Sequence, residues 1–315
     1  MSYKKNEEAD YEEYESLKQS KFKQQKLPGW RSTPSMFNAV LFFFSLGILA
    51  IGIGITIYLF SEEIVEKEIN YNNKTSVTFN VSKEMKPDIM VYYKVYNFYQ
   101  NNRRFMNSRS EDQLKGKHIT LDEMKKRHEC DPIIANSDLR INFTEEENFN
   151  MSELAYPCGL IARSFILFND SFSFKYDNGT DIIINETNIA RRFDRENYKI
   201  NYNNSHKPWL NIEDEHFLVW MRTAPFANFT KLYGRIPVDI EPNKNITITI
   251  KHGKYYNEKE YEDSRINKSI IITTVNSFGG KNTELAFSYM ILGGLCIIIG
   301  IAFIIGFKCH DKQDK

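Results

Sequence analysis

The stretch Met36–Phe60, MFNAVLFFFSLGILAIGIGITIYLF, runs 25 residues without a formal charge. As a helix rising about 1.5 Å per residue it reaches roughly 37 Å, enough to cross a hydrocarbon core of about 30 Å with some tilt. A second uncharged run, Leu285–Phe307, lies near the other end. A cleaved signal has a shorter apolar core, roughly 7–15 residues, close to the N-terminus and before a small-residue site. Here a polar segment comes first, and the flank Phe60-Ser61-Glu62-Glu63 has no A-x-A pattern. The first run therefore reads as a retained anchor. It is too long and too apolar for the core helix of a soluble domain.

The two runs set the organisation. Residues 1–35 form an N-terminal tail, 36–60 and 285–307 the two transmembrane helices, 61–284 a large loop, and 308–315 a short C-terminal tail. The chain is 42% hydrophobic, yet its mean hydropathy is −0.48, which agree only if apolarity is concentrated in the spans. Lys18, Lys21, Lys23, Lys26 and Arg31 precede the first span, and Lys308, Lys312 and Lys315 follow the second. Just inside the loop the chain is mostly acidic: Glu62, Glu63, Glu66 and Glu68 around Lys67. The asymmetry predicts cytoplasmic termini and an exoplasmic loop. In the N-terminal tail, Trp30 beside Pro28 suits the membrane interface, and its basic neighbours suit anionic lipid. A formal net charge of zero argues against a nucleic-acid partner.

The loop agrees with that topology. It carries eleven N-x-S/T sequons, at Asn73, Asn80, Asn142, Asn150, Asn169, Asn178, Asn185, Asn203, Asn228, Asn245 and Asn267, and none falls outside it. Composition alone would give roughly three or four, so the pattern reads as N-glycosylation of a lumenal or extracellular domain. Cys130 and Cys158 are the only cysteines of the loop. In an oxidising compartment they read as one disulfide closing a loop of about 29 residues, contributing roughly 3–4 kcal/mol on the chain-entropy argument. Cys296 reads as a packing residue of the second span, and Cys309 as a reduced thiol beyond it.

Small residues mark one face of each span: Gly47, Ala50 and Gly54 in the first, and Ala286, Gly293 and Gly300 in the second. Such faces let helix backbones approach closely in lipid, either on each other or on a partner's helices. Neither span holds an Asp, Glu, Lys, Arg or His, which weighs against a proton relay or ion path through this chain alone.

The loop reads mostly as β structure. Ser76–Ser82, Ser171–Tyr176 and Asn245–Ile250 alternate apolar and polar residues with period two, as half-buried strands do. Ser269–Val275 and His216–Met221 read as buried strands, and Leu114–Glu129 as helical. The expected fold is two transmembrane helices flanking one antiparallel β-rich ectodomain, two packed sheets with short helices in the connections.

Reactive motifs do not emerge. The six histidines, His118, His128, His206, His216, His252 and His310, show no paired-ligand spacing, so no metal or other cofactor is expected. There is no G-x-S-x-G or P-loop, and Asp214-Glu215 reads as solvated loop charge rather than as a general acid and base. Arg103, Arg104 and Arg222, each near an aromatic residue, either anchor internal ion pairs or present a guanidinium to a partner.

Three stretches carry a resemblance: Asn97–Arg109, NFYQNNRRFMNSR; Phe217–Ile236, FLVWMRTAPFANFTKLYGRI; and Thr273–Thr283, TTVNSFGGKNT. With FKQQKLPGW before the first span, IGIGI within it, and Pro157-Cys158-Gly159 ahead of Phe168-Asn169-Asp170, the chain resembles the cell division control protein fifty family from about residue 22 to 307. That resemblance implies a non-catalytic β-subunit of a type-four P-type ATPase, a flippase moving phospholipid from the exoplasmic to the cytoplasmic leaflet. It also implies a heterodimer with the catalytic subunit, contact with membrane lipids, a role in folding and ER exit of the pump, and residence from the ER to the Golgi, endosome or plasma membrane. Related pumps of some protists are fused to a guanylate cyclase, so such a partner is admitted. The family's cysteine pair maps to Cys130 and Cys158, and its glycosylated asparagines to Asn169 and Asn245. Two departures stand out: further ectodomain disulfides common among relatives are absent, and Arg191-Arg192-Phe193-Asp194 replaces an aromatic pair followed by Ser or Thr and Asp. The alternative is a two-span ligand-gated channel subunit with a glycosylated ectodomain, against which the single cysteine pair counts.

Overall fold

The computed structural model of the chain describes residues 18, 20–22, 24, 35–200, 207–264 and 266–313. Trp30, Asn203 and the side chain of Cys309 lie outside the described residues. The chain divides into two compact units, one built on two long helices and the other comprising Ile57–Thr283.

The first long helix, Met36–Glu62, and the second, Thr283–Gln313, cover both apolar runs. Their hydroxyls bond back into the helix: Ser45 Oγ donates to Phe42 O at 3.0 Å, Thr56 Oγ1 to Gly52 O at 2.9 Å and Ser288 Oγ to Glu284 O at 2.8 Å. Such internal satisfaction suits a hydrocarbon surround, where no water is available. Of the two arrangements the small residues leave open, the structure adopts the intrachain one. A Cβ on Gly47 would stand 2.9 Å from Gly293 O, and a Cβ on Gly293 would stand 2.7 Å from Gly47 O. Gly54 meets Ala286 O in the same way, and Gly300 lies under the Phe44 ring. Ala50 and Ala286 are buried. These positions are therefore occupied by the helix pair itself. Leu41, Phe42, Ile48, Leu49, Ile291 and Ile298 point outward instead.

The second unit holds two four-stranded antiparallel sheets. The strands are β1 (Glu66–Asn70), β2 (Ser76–Asn80), β3 (Ile89–Tyr96), β4 (Ser171–Tyr176), β5 (Asp181–Ile182), β6 (Phe229–Ile236), β7 (Asn245–Lys251) and β8 (Asn267–Thr273). One sheet runs β1-β8-β3-β6 and the other β2-β7-β4-β5. Alternation places Phe172 and Phe174 of β4, and Ile246, Ile248 and Ile250 of β7, on the inner face. The sheets meet there: the Phe172 ring lies 4.7 Å from that of Tyr233 on β6, and Tyr233 OH accepts from Phe172 N at 3.2 Å. The register of β2 on β7 pairs Asn80 with Asn245 on the exposed face.

Three sequence expectations need correction. His216–Met221 is not a strand but lies in a helix, Glu215–Met221. Its run is apolar on all sides because the helix is buried, so periodicity could not separate the two. Asp214 is not solvated loop charge either: its side chain caps that helix, accepting from His216 N at 3.0 Å, while Glu215 accepts from Asn188 N and Ala190 N, each at 2.9 Å. The Leu114–Glu129 stretch is helical only in part: it begins at the last residue of one short helix, Glu111–Leu114, and contains a second, Leu121–Arg127, with Gly116 at a positive φ of 74° between them.

Candidate functional site

Two of the three stretches singled out in the sequence, Asn97–Arg109 and Phe217–Ile236, are far apart in the chain but interlock in space. Residues 97–109 run along residues 221–228. Phe98 N donates to Ala227 O at 3.1 Å, Asn97 N to Asn228 Oδ1 at 3.1 Å and Asn101 Nδ2 to Pro225 O at 2.8 Å. From the other side Ala224 N donates to Gln100 Oε1 at 2.8 Å, and Arg109 Nη1 reaches Met221 O at 3.1 Å.

The same stretch closes over the cysteine pair. Cys130 and Cys158 are joined, with Cα atoms 5.7 Å apart. Ser108 Oγ donates to Cys130 O at 3.2 Å and accepts from Leu160 N at 2.8 Å. Gln113 Oε1 accepts from Cys158 N at 2.9 Å. Gly159 adopts a φ of 98°, and any Cβ there would run into Ser108 O. Glycine in the Pro-Cys-Gly motif is thus required twice, by backbone conformation and by close approach.

Aromatic rings join the motifs into one hub. Trp220 stacks on Phe168 at 4.3 Å, and Phe98 lies 5.7 Å from Trp220 and 5.1 Å from Phe168. The indole N–H of Trp220 donates to Ile161 O at 3.0 Å, so this buried ring leaves no polar atom unpaired.

Two buried lysines flank the hub. Lys268 Nζ donates to Asp170 Oδ2 at 2.6 Å and to Leu167 O at 2.9 Å, and Tyr71 OH donates to the same carboxylate at 2.9 Å. His252 Nδ1 lies 2.7 Å from Asp170 Oδ1. Burial pushes the Asp170 carboxyl up, but the His252 contact and the Lys268 charge outweigh it and hold the group below its ordinary value. Lys231 has no carboxylate partner among the described residues. Its ammonium donates to Val219 O at 3.2 Å and to Arg222 O, at the C-terminal end of the Glu215–Met221 helix. Cation at a helix C-terminus is favourable, but desolvation prevails and lowers the Lys231 amine to about 7.

Of the three arginines considered as partner contacts, Arg222 is engaged within the chain, although its side chain is 46% exposed. Its Nε and Nη2 donate to the two oxygens of Asp194 at 2.7 and 2.6 Å, and this hydrogen-bonded carboxylate raises the Arg222 value. Asp194 closes the Arg191-Arg192-Phe193-Asp194 segment and is buried, so the departing segment keeps its structural acid. Arg103 and Arg104 behave differently. They open a short helix capped by Asn102, are exposed, and have no ion-pair partner among the described residues. Tyr99 and Phe226, on the two interlocked stretches, are 63% and 73% exposed. Sequence reasoning missed this aromatic pair; the signal was two large rings in segments whose other aromatics are buried.

Ten sequon asparagines fall among the described residues. Asn80, Asn142, Asn150, Asn178, Asn185, Asn228, Asn245 and Asn267 are exposed, and Asn73 and Asn169 are half-buried. The GGKN stretch ties the ends of the ectodomain together. Asn276 and Gly279 exchange backbone hydrogen bonds of 3.0 and 2.9 Å, Asn276 Nδ2 donates to Phe60 O at 2.8 Å, and Asn282 N to Ser61 Oγ at 3.1 Å.

Comparison with known proteins matches this arrangement to one family. The model of the LEM3 (ligand-effect modulator 3) / CDC50 family matches residues 2–313. A putative ALA-interacting subunit 2 of Arabidopsis thaliana is 31% identical, covering 90% of this chain and 86% of that protein. Cell cycle control protein 50A of Bos taurus is 30% identical, covering 90% of this chain and 87% of its own. A protein of Chaetomium thermophilum named phospholipid-transporting ATPase accessory subunit CDC50 is 27% identical, over 77% of this chain and 63% of its own. None of these relatives supports the two-span channel. The chain is an integral membrane protein with two spans and a β-rich domain between them, and it belongs to the LEM3/CDC50 family.

Proposed function

We propose that this chain is the non-catalytic accessory subunit of a phospholipid-translocating P-type ATPase. It binds the catalytic subunit as a heterodimer and is needed for that subunit to fold, leave the ER and move phospholipid from the exoplasmic to the cytoplasmic leaflet. Both termini are cytoplasmic, residues 61–284 are exoplasmic and glycosylated, and the complex travels from the ER to the Golgi, endosome or plasma membrane. The observation that carries this reading is how the shared motifs are used. Their residues join into an internal frame around Trp220, the cysteine pair and Asp170, and that frame holds out a rigid surface with Tyr99, Arg103, Arg104 and Phe226 on it. Exposed aromatics and arginines are the residue types enriched at the centres of protein interfaces. The relatives named as accessory and interacting subunits support the same reading.

The test is reconstitution. The purified chain in liposomes with fluorescent phospholipid and ATP gives no translocation, and the same liposomes with the co-purifying ATPase do. Translocation by the chain alone, or an ATPase that traffics and pumps normally in a deletion strain, overturns the proposal.

A further inference from the structure

A cavity of about 350 Å³ opens beside the Phe168-Asn169-Asp170 segment, within the size range of small-molecule sites. Four aromatic rings line it: Phe149, Phe165, Trp209 and Tyr255. They are held in place from behind. Trp209 donates its indole N–H to Pro157 O at 2.7 Å. Phe149 packs at 4.4 Å on Phe143, which meets Tyr255 at 5.6 Å. The charges at the rim are already engaged, Glu147 with Lys254 at 2.6 Å and Lys207 over the Phe149 ring at 5.0 Å. What remains for an occupant is apolar ring surface with neutral polar groups around it.

Asn169 forms part of the same wall. Its neighbour Asp170 is bonded on both oxygens, whereas the Asn169 side-chain amide has no hydrogen-bond partner among the described residues. Gly253 faces it. A Cβ on Gly253 would stand 2.6 Å from Asn169 O and 3.3 Å from Asn169 Nδ2. With glycine there, no side chain covers the one atom of an N-x-S/T sequon that takes a sugar.

We propose that this cavity is the seat of the first N-acetylglucosamine on Asn169, so that this glycan is a packed part of the ectodomain. Attachment joins sugar C1 to Asn169 Nδ2; the C1–phosphate bond of a lipid-linked oligosaccharide donor breaks, and one amide proton leaves. The C–H face of the ring lies against Phe149, Trp209 and Tyr255, and the acetamide and hydroxyls meet the polar rim. Glycans on exposed positions such as Asn80, Asn142 and Asn245 have no such cradle and stand in solvent. The inference does not rest on the pump reading; it needs only that the ectodomain faces the lumen.

Glycopeptide mass spectrometry during amidase digestion of the intact, folded chain in mild detergent tests it. The expected result is that Asn169 carries glycan and loses it roughly tenfold more slowly than the exposed asparagines, that denaturation abolishes the difference, and that Phe149→Ala does so without denaturation. If Phe149→Ala fails to fold, Tyr255→Leu serves the same purpose, and Ser171→Ala, which removes the sequon, identifies the Asn169 signal. A bare Asn169, release as fast as at Asn245, or slow release unchanged by loss of the ring overturns the proposal.

Discussion

Lys231 and Lys268 show two ways of burying an ammonium. Lys268 has a carboxylate, Asp170, and sits among the rings of Tyr71, Phe168, Tyr256 and Tyr261. Lys231 has only carbonyls and the Trp220 and Phe229 rings. Its folded value of about 7 lies below the ordinary 10.5. Between those values the unfolded chain binds more protons than the folded one, so this residue makes stability rise with pH in that window. Ectodomain melting followed from about pH 7 to 9, below tyrosine ionisation, should show that rise, and Lys231→Met should flatten it. An unchanged slope contradicts the assignment. Arg222 makes a second residue-scale prediction. Removing it strands the buried Asp194, so Arg222→Ala should cost about 2 kcal/mol of ectodomain stability, and Asp194→Ala together with it little more. If Arg222→Ala leaves melting unchanged yet abolishes partner binding, the guanidinium serves the partner instead.

Elements were legible where one face differs from the other. The strands around Val77, Phe172 and Ile246 alternate because one side meets the core and the other solvent. The Glu215–Met221 helix was not legible, since burial on all sides erases the period; Asp214 as its cap was the cue to the true form. β3 and β6 escaped because Lys94, Lys231 and Gly234 interrupt their apolar runs, although Lys231 is buried. The docking of Ser108 on Pro157-Cys158-Gly159 joins segments about 50 residues apart, which no local pattern records. In the long helices the small residues were legible but their mate was not, and the structure pairs them with each other. This gives a matched prediction. Gly293→Leu pushes into Gly47 O and should lower the detergent melting temperature of the chain, while Gly294→Leu, with nothing within 4 Å of its Cβ, should not. Equal effects from both would contradict the packing of the pair.

At the scale of the whole molecule, the frame that binds the Asn97–Arg109 and Phe217–Ile236 stretches, with the ties of Asn276 and Asn282 to Phe60 and Ser61, explains why a resemblance spread over the chain was readable. Those residues are the ones whose partners lie elsewhere in the sequence: Gln100 with Ala224, Ser108 with Leu160, Trp220 with Phe168 and Asn282 with Ser61. The proposed partner surface they hold out carries Tyr99, Arg103, Arg104 and Phe226, and the chain departs from the family pattern at Arg191, Arg192 and the exposed Phe193. The account therefore turns on what occupies that surface in the membrane. Native mass spectrometry of the chain purified from its own membranes in mild detergent measures this directly. The account predicts a one-to-one complex with a single, much larger P-type ATPase chain. A homotrimer of this chain, or a chain with no ATPase bound, would contradict it.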